Sequence, residues 1–153
     1  MAVTLAQVIK QVESASGRAL VRFEPDCYKA LQIGQAHLYA SDPLGTLATI
    51  ERANRCSPAT AEMLFASSWG LYQDMGFELW GELMPNVTVW DWLAQVELQD
   101  GAFIDWCKRR QFDPQGPLPS DSECARFAHA YNGPGDVVRY VNLMQAASAA
   151  LGA

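Results

Sequence analysis

Helix-opening signals recur along this chain, and each is followed by apolar residues at helical spacing. That recurrence confines the fold to short helices packed on one another. Thr4, with Gln7 three residues on, has the pattern of a capping box, and Leu5, Val8, Ile9 and Val12 fall on one helix face behind it. Gly17 is placed to stop that helix. Ser57-Pro58 sets a cap ahead of a proline in the first helical position and opens a helix through Met63 and Phe65. Thr88 caps a helix through Trp92, Leu93 and Val96, and another follows Gly101 through Phe103, Ile104, Trp106 and Cys107. Ser120 with Glu123 repeats the capping-box pattern before Phe127 and Tyr131. After the turn Gly133-Pro134-Gly135, a last helix runs from Asp136 into an alanine-rich end.

The segments between these helices are short. Ala19 to Glu24 is apolar and partly alternating, the look of a strand, and Pro25 ends it. Residues 26–33 read as one or two helical turns, residues 34 to about 45 as a polar loop, and about 45 to 55 as a helix. Ser67 to Gln73 breaks the helical period as a loop or short strand. Phe112 to Pro119, with three prolines and a glycine, is a loop. The expected fold is mainly α with a small β element, in a single domain over residues 1–153.

Half of the residues are hydrophobic, enough for a sizeable core. Charged residues make up 18%, below the roughly 25% of an average globular domain. With 11 basic against 17 acidic residues, the net charge of −6 argues against a nucleic-acid binder relying on a broad basic face, and no nucleic-acid partner is expected. Cys27, Cys56, Cys107 and Cys124 form no C-x-x-C pair and no ligand spacing with His37 or His129, so neither a metal nor a cofactor is expected. They read as reduced, partly buried thiols, with two disulfides as the alternative. The opening MAVTLAQVIKQVES has no basic region and no unbroken apolar run, unlike a signal peptide. No segment approaches the ~20 apolar residues that span a bilayer, so no membrane insertion is expected, and the chain reads as a monomer.

Two carboxylates stand out chemically. Glu13 follows the apolar stripe at the end of the first helix and precedes Ser14, Ser16 and Gly17. Glycoside cleavage needs a proton donor at the leaving oxygen, and a glutamate in a partly apolar cleft supplies it. The alternative is a solvated helix-end acid. Glu24 is the single acid in its strand-like run. It reads equally as a second active-site carboxylate polarising water and as a structural acid satisfied by backbone amides or by Arg22.

Four boxes recur in order: Val12-Glu13-Ser14, then Arg22-Phe23-Glu24-Pro25, then Ser68-Trp69-Gly70-Leu71-Tyr72-Gln73-Asp74-Met75-Gly76, then Phe127-Ala128-His129-Ala130-Tyr131-Asn132-Gly133-Pro134-Gly135. Their order and spacing resemble the lysozyme-like superfamily of goose-type lysozymes and lytic transglycosylases. The closer resemblance is to the phage-type N-acetylmuramidase domain found in endolysins, over about residues 5 to 150. The resemblance implies a lysozyme-like helical fold, bacterial peptidoglycan as substrate, and Glu13 as general acid. It also implies Gln73 and Tyr131 lining the cleft and Asn132 shaping it near the acid, with Trp69 and Tyr72 as further substrate contacts; Glu24, or failing that Asp74, is the candidate for a second carboxylate. Core packing is the other reading of Trp69, Leu71 and Tyr72, and Gly70 and Gly76 read as sites of special backbone angles or close approach. Asp26 stands where the family usually has a histidine, and Asp74 where it usually has an aliphatic residue.

Trp80, Trp90, Trp92 and Trp106 stand at helical spacing and read as core before sugar platforms. Lys108-Arg109-Arg110 reads as charge complementing a helix C-terminus, with a wall-phosphate contact as the alternative. The resemblance implies an N-acetylmuramidase cutting the β-1,4 bond between N-acetylmuramic acid and N-acetylglucosamine. The rivals are a lytic transglycosylase forming 1,6-anhydro products and a non-catalytic wall-binding or virion-structural relative. With no signal peptide, such a protein is expected in the host cytoplasm before release to the wall, or carried in the virion.

Overall fold

The computed structural model describes residues 2–14 and 21–153. The fold is mainly α with a small antiparallel sheet, as the sequence predicts. The chain divides into two compact units, Met1–Gly17 with Phe103–Ala153, and Arg18–Ala102. The expected helix stop at Gly17 and the expected strand residues Ala19 and Leu20 lie outside the described residues.

In the first unit, α1 (Leu5–Glu13) opens on the predicted capping box, with Gln7 N–H donating to Thr4 Oγ1 and Thr4 N–H to Gln7 Oε1. The Leu5 and Ala6 N–H groups, which no helix carbonyl can reach, donate to Gly116 O and Pro114 O of the proline-rich loop. The last turns of α7 (Val96–Arg109) lead into that loop, followed by α8 (Asp121–Asn132), a 3-10 turn at Pro134–Asp136 and α9 (Val137–Gly152). Helix α9 packs against both α1 and α8. Buried residues of this unit include Leu5, Val8, Ile9 and Val12 of α1, and Tyr140, Met144 and Ala147 of α9. Phe103, Trp106, Phe112, Phe127 and Tyr131 form an aromatic cluster, Trp106 and Tyr131 meeting edge-on at 4.8 Å.

Arg126 of α8 ties off the end of α7. Its two terminal nitrogens donate to Arg110 O and Gln111 O, and its guanidinium lies 3.8 Å from the centre of the Phe112 ring. The same Arg126 binds both oxygens of Glu123. That corrects the expected Ser120–Glu123 capping box: the Ser120 hydroxyl makes no cap bond and lies 3.2 Å from Ser122 Oγ, and the Glu123 carboxylate, which would complete the box, is taken by a guanidinium on its own helix face. In the basic run, Arg109 pairs with Asp105 at 2.8 Å and Arg110 lies over the Trp106 ring.

The second unit holds the sheet, in the order β1 (Val21–Phe23), β2 (Ser67–Trp69) and β3 (Asp74–Met75), all antiparallel. Its helices are α2 (Pro25–Gln32), α3 (Pro43–Asn54), α4 (Pro58–Phe65), the short α5 (Gly76–Glu78) continuing into a π turn at Leu79–Leu83, and α6 (Val89–Ala94), with the start of α7. Ser57 and Thr88 cap their helices as predicted. The expected loop over 34–45 instead contains a 3-10 turn at Ala36–Leu38, and α3 starts at Pro43, where Asp42 accepts from Gly45 N–H. Helix α7 starts at Val96, so Gly101 lies inside it. The run from Gly76 to Leu83, unassigned from sequence, folds because Leu79 and Trp80 enter the core with Ile50, Phe65, Trp69 and Trp92. Trp90 is exposed, while Trp80, Trp92 and Trp106 are buried.

Gly76 abuts the end of α4: a Cβ there would lie 1.9 Å from the Leu64 carbonyl oxygen and 2.7 Å from its carbon. Both atoms are backbone and cannot swing aside. Gly76→Ala is expected to lower stability by about 2–3 kcal/mol, read as a lower urea midpoint, and an unchanged midpoint would contradict this packing.

Candidate active site

Glu13 is the last residue of α1 and is only 6% exposed. It arrives there because Val8, Ile9 and Val12 bury the same helix face, and one further step carries the glutamate inward with them. A buried carboxylate is tolerated only when bonded. The Tyr140 hydroxyl, from the buried face of α9, donates to Glu13 Oε1 at 2.5 Å. Ser14, directly after the helix, donates its hydroxyl to the Lys10 carbonyl and so closes the last turn.

The first unit also holds two more of the predicted residues, of which Tyr131 lies near this pair. Tyr131, half-buried near the end of α8, packs its ring against Trp106 and Phe127 and lies 6.5 Å from the Tyr140 ring. Asn132 closes α8 and is exposed, followed by Gly133 with a left-handed φ of 82°. Tyr140 was not singled out from the sequence. The available signal was a phenol on the buried face of α9, in line with Met144 and Ala147, because a buried tyrosine hydroxyl needs a partner.

The second unit gathers the remaining predicted residues on the sheet and its turn. Arg22 and Ser68 face each other across β1 and β2. Glu24 lies just past the strand, at the start of α2, rather than within the strand run expected from sequence. Its Oε1 accepts from Arg22 Nε at 2.7 Å and lies 3.2 Å from Ser68 Oγ, with 29% of the side chain exposed. Ser68 Oγ also lies 3.0 Å from Gln73 Oε1. One hydroxyl proton thus links the acid and the amide by turns.

Gln73 ends a tight turn that begins at Gly70, with both residues in the left-handed region at φ 55° and 78°. Its Nε2 donates back to Gly70 O at 2.9 Å. Trp69 is packed in the core, donating its indole N–H to Leu64 O, and Tyr72 is buried with its hydroxyl on Asp100 Oδ1 at 2.7 Å. In this structure both therefore pack and anchor the turn. Asp74, in β3, is 1% exposed.

All four cysteines are free thiols. Burial, aided by Glu24, pushes the Cys27 thiol up to about 12, which leaves it protonated and unreactive at neutral pH. Among the described residues, no group of three or more histidine, cysteine or acidic side chains converges as a metal site. Likewise, no described helix is long and apolar enough to cross a membrane.

The chain is similar to the endolysin of Enterobacteria phage PRD1, at 30% identity over 137 residues, covering 87% of this chain and 88% of that relative. The chain belongs to the endolysin family. No family model and no solved structure matches it. In this endolysin-family chain, the buried Glu13–Tyr140 pair and the Glu24–Ser68–Gln73 chain each combine an acid with directional hydrogen-bonding groups.

The phenol bonded to Glu13 generates a direct test. Tyr140→Phe keeps the ring and removes the donor. Wall lysis by this variant is expected to fall about tenfold, the size of one lost bond to a carboxylate. Lysis at the wild-type rate would remove Tyr140 from any part in holding Glu13.

Proposed function

We propose that this chain is a peptidoglycan-cleaving glycosidase of the lysozyme-like type, an N-acetylmuramidase acting on the β-1,4 bond between N-acetylmuramic acid and N-acetylglucosamine. The observation that carries this reading is the buried Glu13 carboxyl group, held by a phenol at a helix end, in a chain of the endolysin family. Glu13 is the general acid. It hands its proton to the glycosidic oxygen as the bond to the anomeric carbon breaks, and an oxocarbenium-like centre develops on the muramic acid ring. The Tyr140 hydroxyl, donating to Oε1, holds the carboxyl group in place at the end of α1. Gln73, Tyr131 and Asn132 bind the glycan through directional bonds to hydroxyl and N-acetyl groups. The chain meets this substrate after release from the host cytoplasm.

In the hydrolytic reading a second carboxylate activates the attacking water, and Glu24 is the residue for that role. One observation favours the lytic transglycosylase instead: Glu24 Oε1 is already engaged by Arg22 and lies near Ser68. A transglycosylase needs one acid, because a hydroxyl of the substrate attacks the anomeric carbon and closes a 1,6-anhydro ring.

Glu13→Gln keeps the shape and the acceptor for Tyr140 but has no proton to give. It is expected to lose wall lysis by ~10²-fold or more with a nearly unchanged melting temperature. Retention of more than about a tenth of the activity would take Glu13 out of the acid role. Mass analysis of products from purified peptidoglycan then separates the chemistries. Reducing ends, with Glu24→Gln slowed by ~10²-fold, support the muramidase. Anhydro ends with Glu24→Gln active support the transglycosylase, and no products at all point to a wall-binding or structural relative.

A further inference from the structure

Gln99 attracts no notice in the sequence, yet it is one of the few buried polar side chains of the second unit, at 3% exposure. It lies in the first turns of α7, and both ends of its amide are used. Oε1 accepts from Leu71 N–H at 2.7 Å, and Nε2 donates to Trp92 O at 2.9 Å. One residue further on, Asp100 Oδ1 accepts from the Tyr72 hydroxyl at 2.7 Å. Two neighbouring residues of the helix thus grip two neighbouring residues of the turn that ends at Gln73.

The fit around this grip is close. A Cβ on Gly70 would lie 2.5 Å from Gln99 Oε1 and 2.9 Å from its amide carbon, so the backbone approaches the amide as far as a residue without a side chain allows. Burying an amide is costly unless its groups are bonded, and an apolar side chain of similar volume would fill the same space without that demand. What an apolar side chain cannot do is fix the direction of the Leu71 N–H. The Gly70 carbonyl belongs to the same planar peptide group as that N–H, so its direction is set with it, and the Gln73 amide hangs on that carbonyl.

We propose that Gln99, with Asp100 beside it, is a positioning residue for Gln73: it sets the angle at which the Gly70–Gln73 turn presents its amide to the glycan. This rests on the reading of Gln73 as a glycan-binding residue.

The test is a double-mutant cycle on soluble peptidoglycan fragments, with kcat and KM measured well below each variant's melting temperature. Gln73→Ala is expected to lower kcat/KM about tenfold, and Gln99→Met by a similar factor, because a binding group moved from its working position loses its use. The double variant is expected to be no worse than Gln73→Ala alone, since both act through one side chain. If the two losses multiply, or if Gln99→Met lowers the melting temperature while leaving kcat/KM at the wild-type value, Gln99 only supports the fold and the proposal is overturned. If Gln73→Ala is itself fully active, the glycan-binding reading of Gln73 fails first and this proposal falls with it. Should Gln99→Met not fold, Asp100→Ala loosens the same turn through Tyr72 and goes through the same cycle with the same opposed outcomes.

Discussion

A carboxylate removed from water must be bonded or it unfolds what surrounds it, and in the first unit that requirement falls on Glu13. Its partner comes from 127 residues away in sequence, on the last helix. The bond needs α1 and α9 packed at a fixed rotation, because a turn of either helix by one residue would carry the carboxyl or the phenol out of reach. The rest of the unit supplies that fixity. The proline-rich loop takes the free N–H groups at the start of α1, and the aromatic cluster wedges α8 in place, with Tyr131 next to the Tyr140 ring. Arg126 closes the other end of the same loop by binding the carbonyls of Arg110 and Gln111, just past the end of α7.

The second unit meets a different demand. Three short strands cannot bury much apolar surface, so their ends are held by side-chain bonds and by close backbone approach. Ser68 sits at the middle of the sheet within reach of Glu24, Gln73 and the Arg22 carbonyl, and its single proton serves one of them at a time. The turn after β2 adopts left-handed backbone at both Gly70 and Gln73. For Gln73 that conformation is strained, and the bond from its own amide to Gly70 O together with the grip of Gln99 and Asp100 offsets the strain. The residues that touch the turn from behind are therefore as specific in type as those on it.

Much of the helical architecture was legible because its signals are local. Thr4 with Gln7, Ser57 before Pro58, and Thr88 each cap the helix that the sequence assigned to them, since a cap depends on residues three apart and on little else. The same reasoning failed at Ser120, whose hydroxyl lies against Ser122 while Arg126 takes the Glu123 carboxylate, and between Gly76 and Leu83, where the helical turns follow from burial of Leu79 and Trp80 rather than from any cap. In the candidate site, Glu13 was singled out from the sequence as a candidate, being the acid that ends an apolar stripe, as were Gln73, Tyr131 and Asn132 through their boxes. Tyr140 and Gln99 were not, because a tyrosine on a helix face and a glutamine inside a helix carry no sign of the partner they will meet.

The sequence by itself determined that this chain is mainly helical with a small sheet and where most of its helices begin. Those properties follow from spacing and from caps, which act over a few residues. It also placed Glu13 at the end of the apolar stripe of α1, and left open whether that acid is buried. Only the tertiary structure decided that Tyr140 bonds that carboxyl, that Glu24 sits paired with Arg22 at a helix start, and that Trp69 and Tyr72 are buried behind their turn. These depend on which buried polar atoms find one another once distant segments pack. Hydrogen bonds are short and directional, so a register shift of one residue would redistribute all of them while leaving the apolar pattern that specifies the helices unchanged.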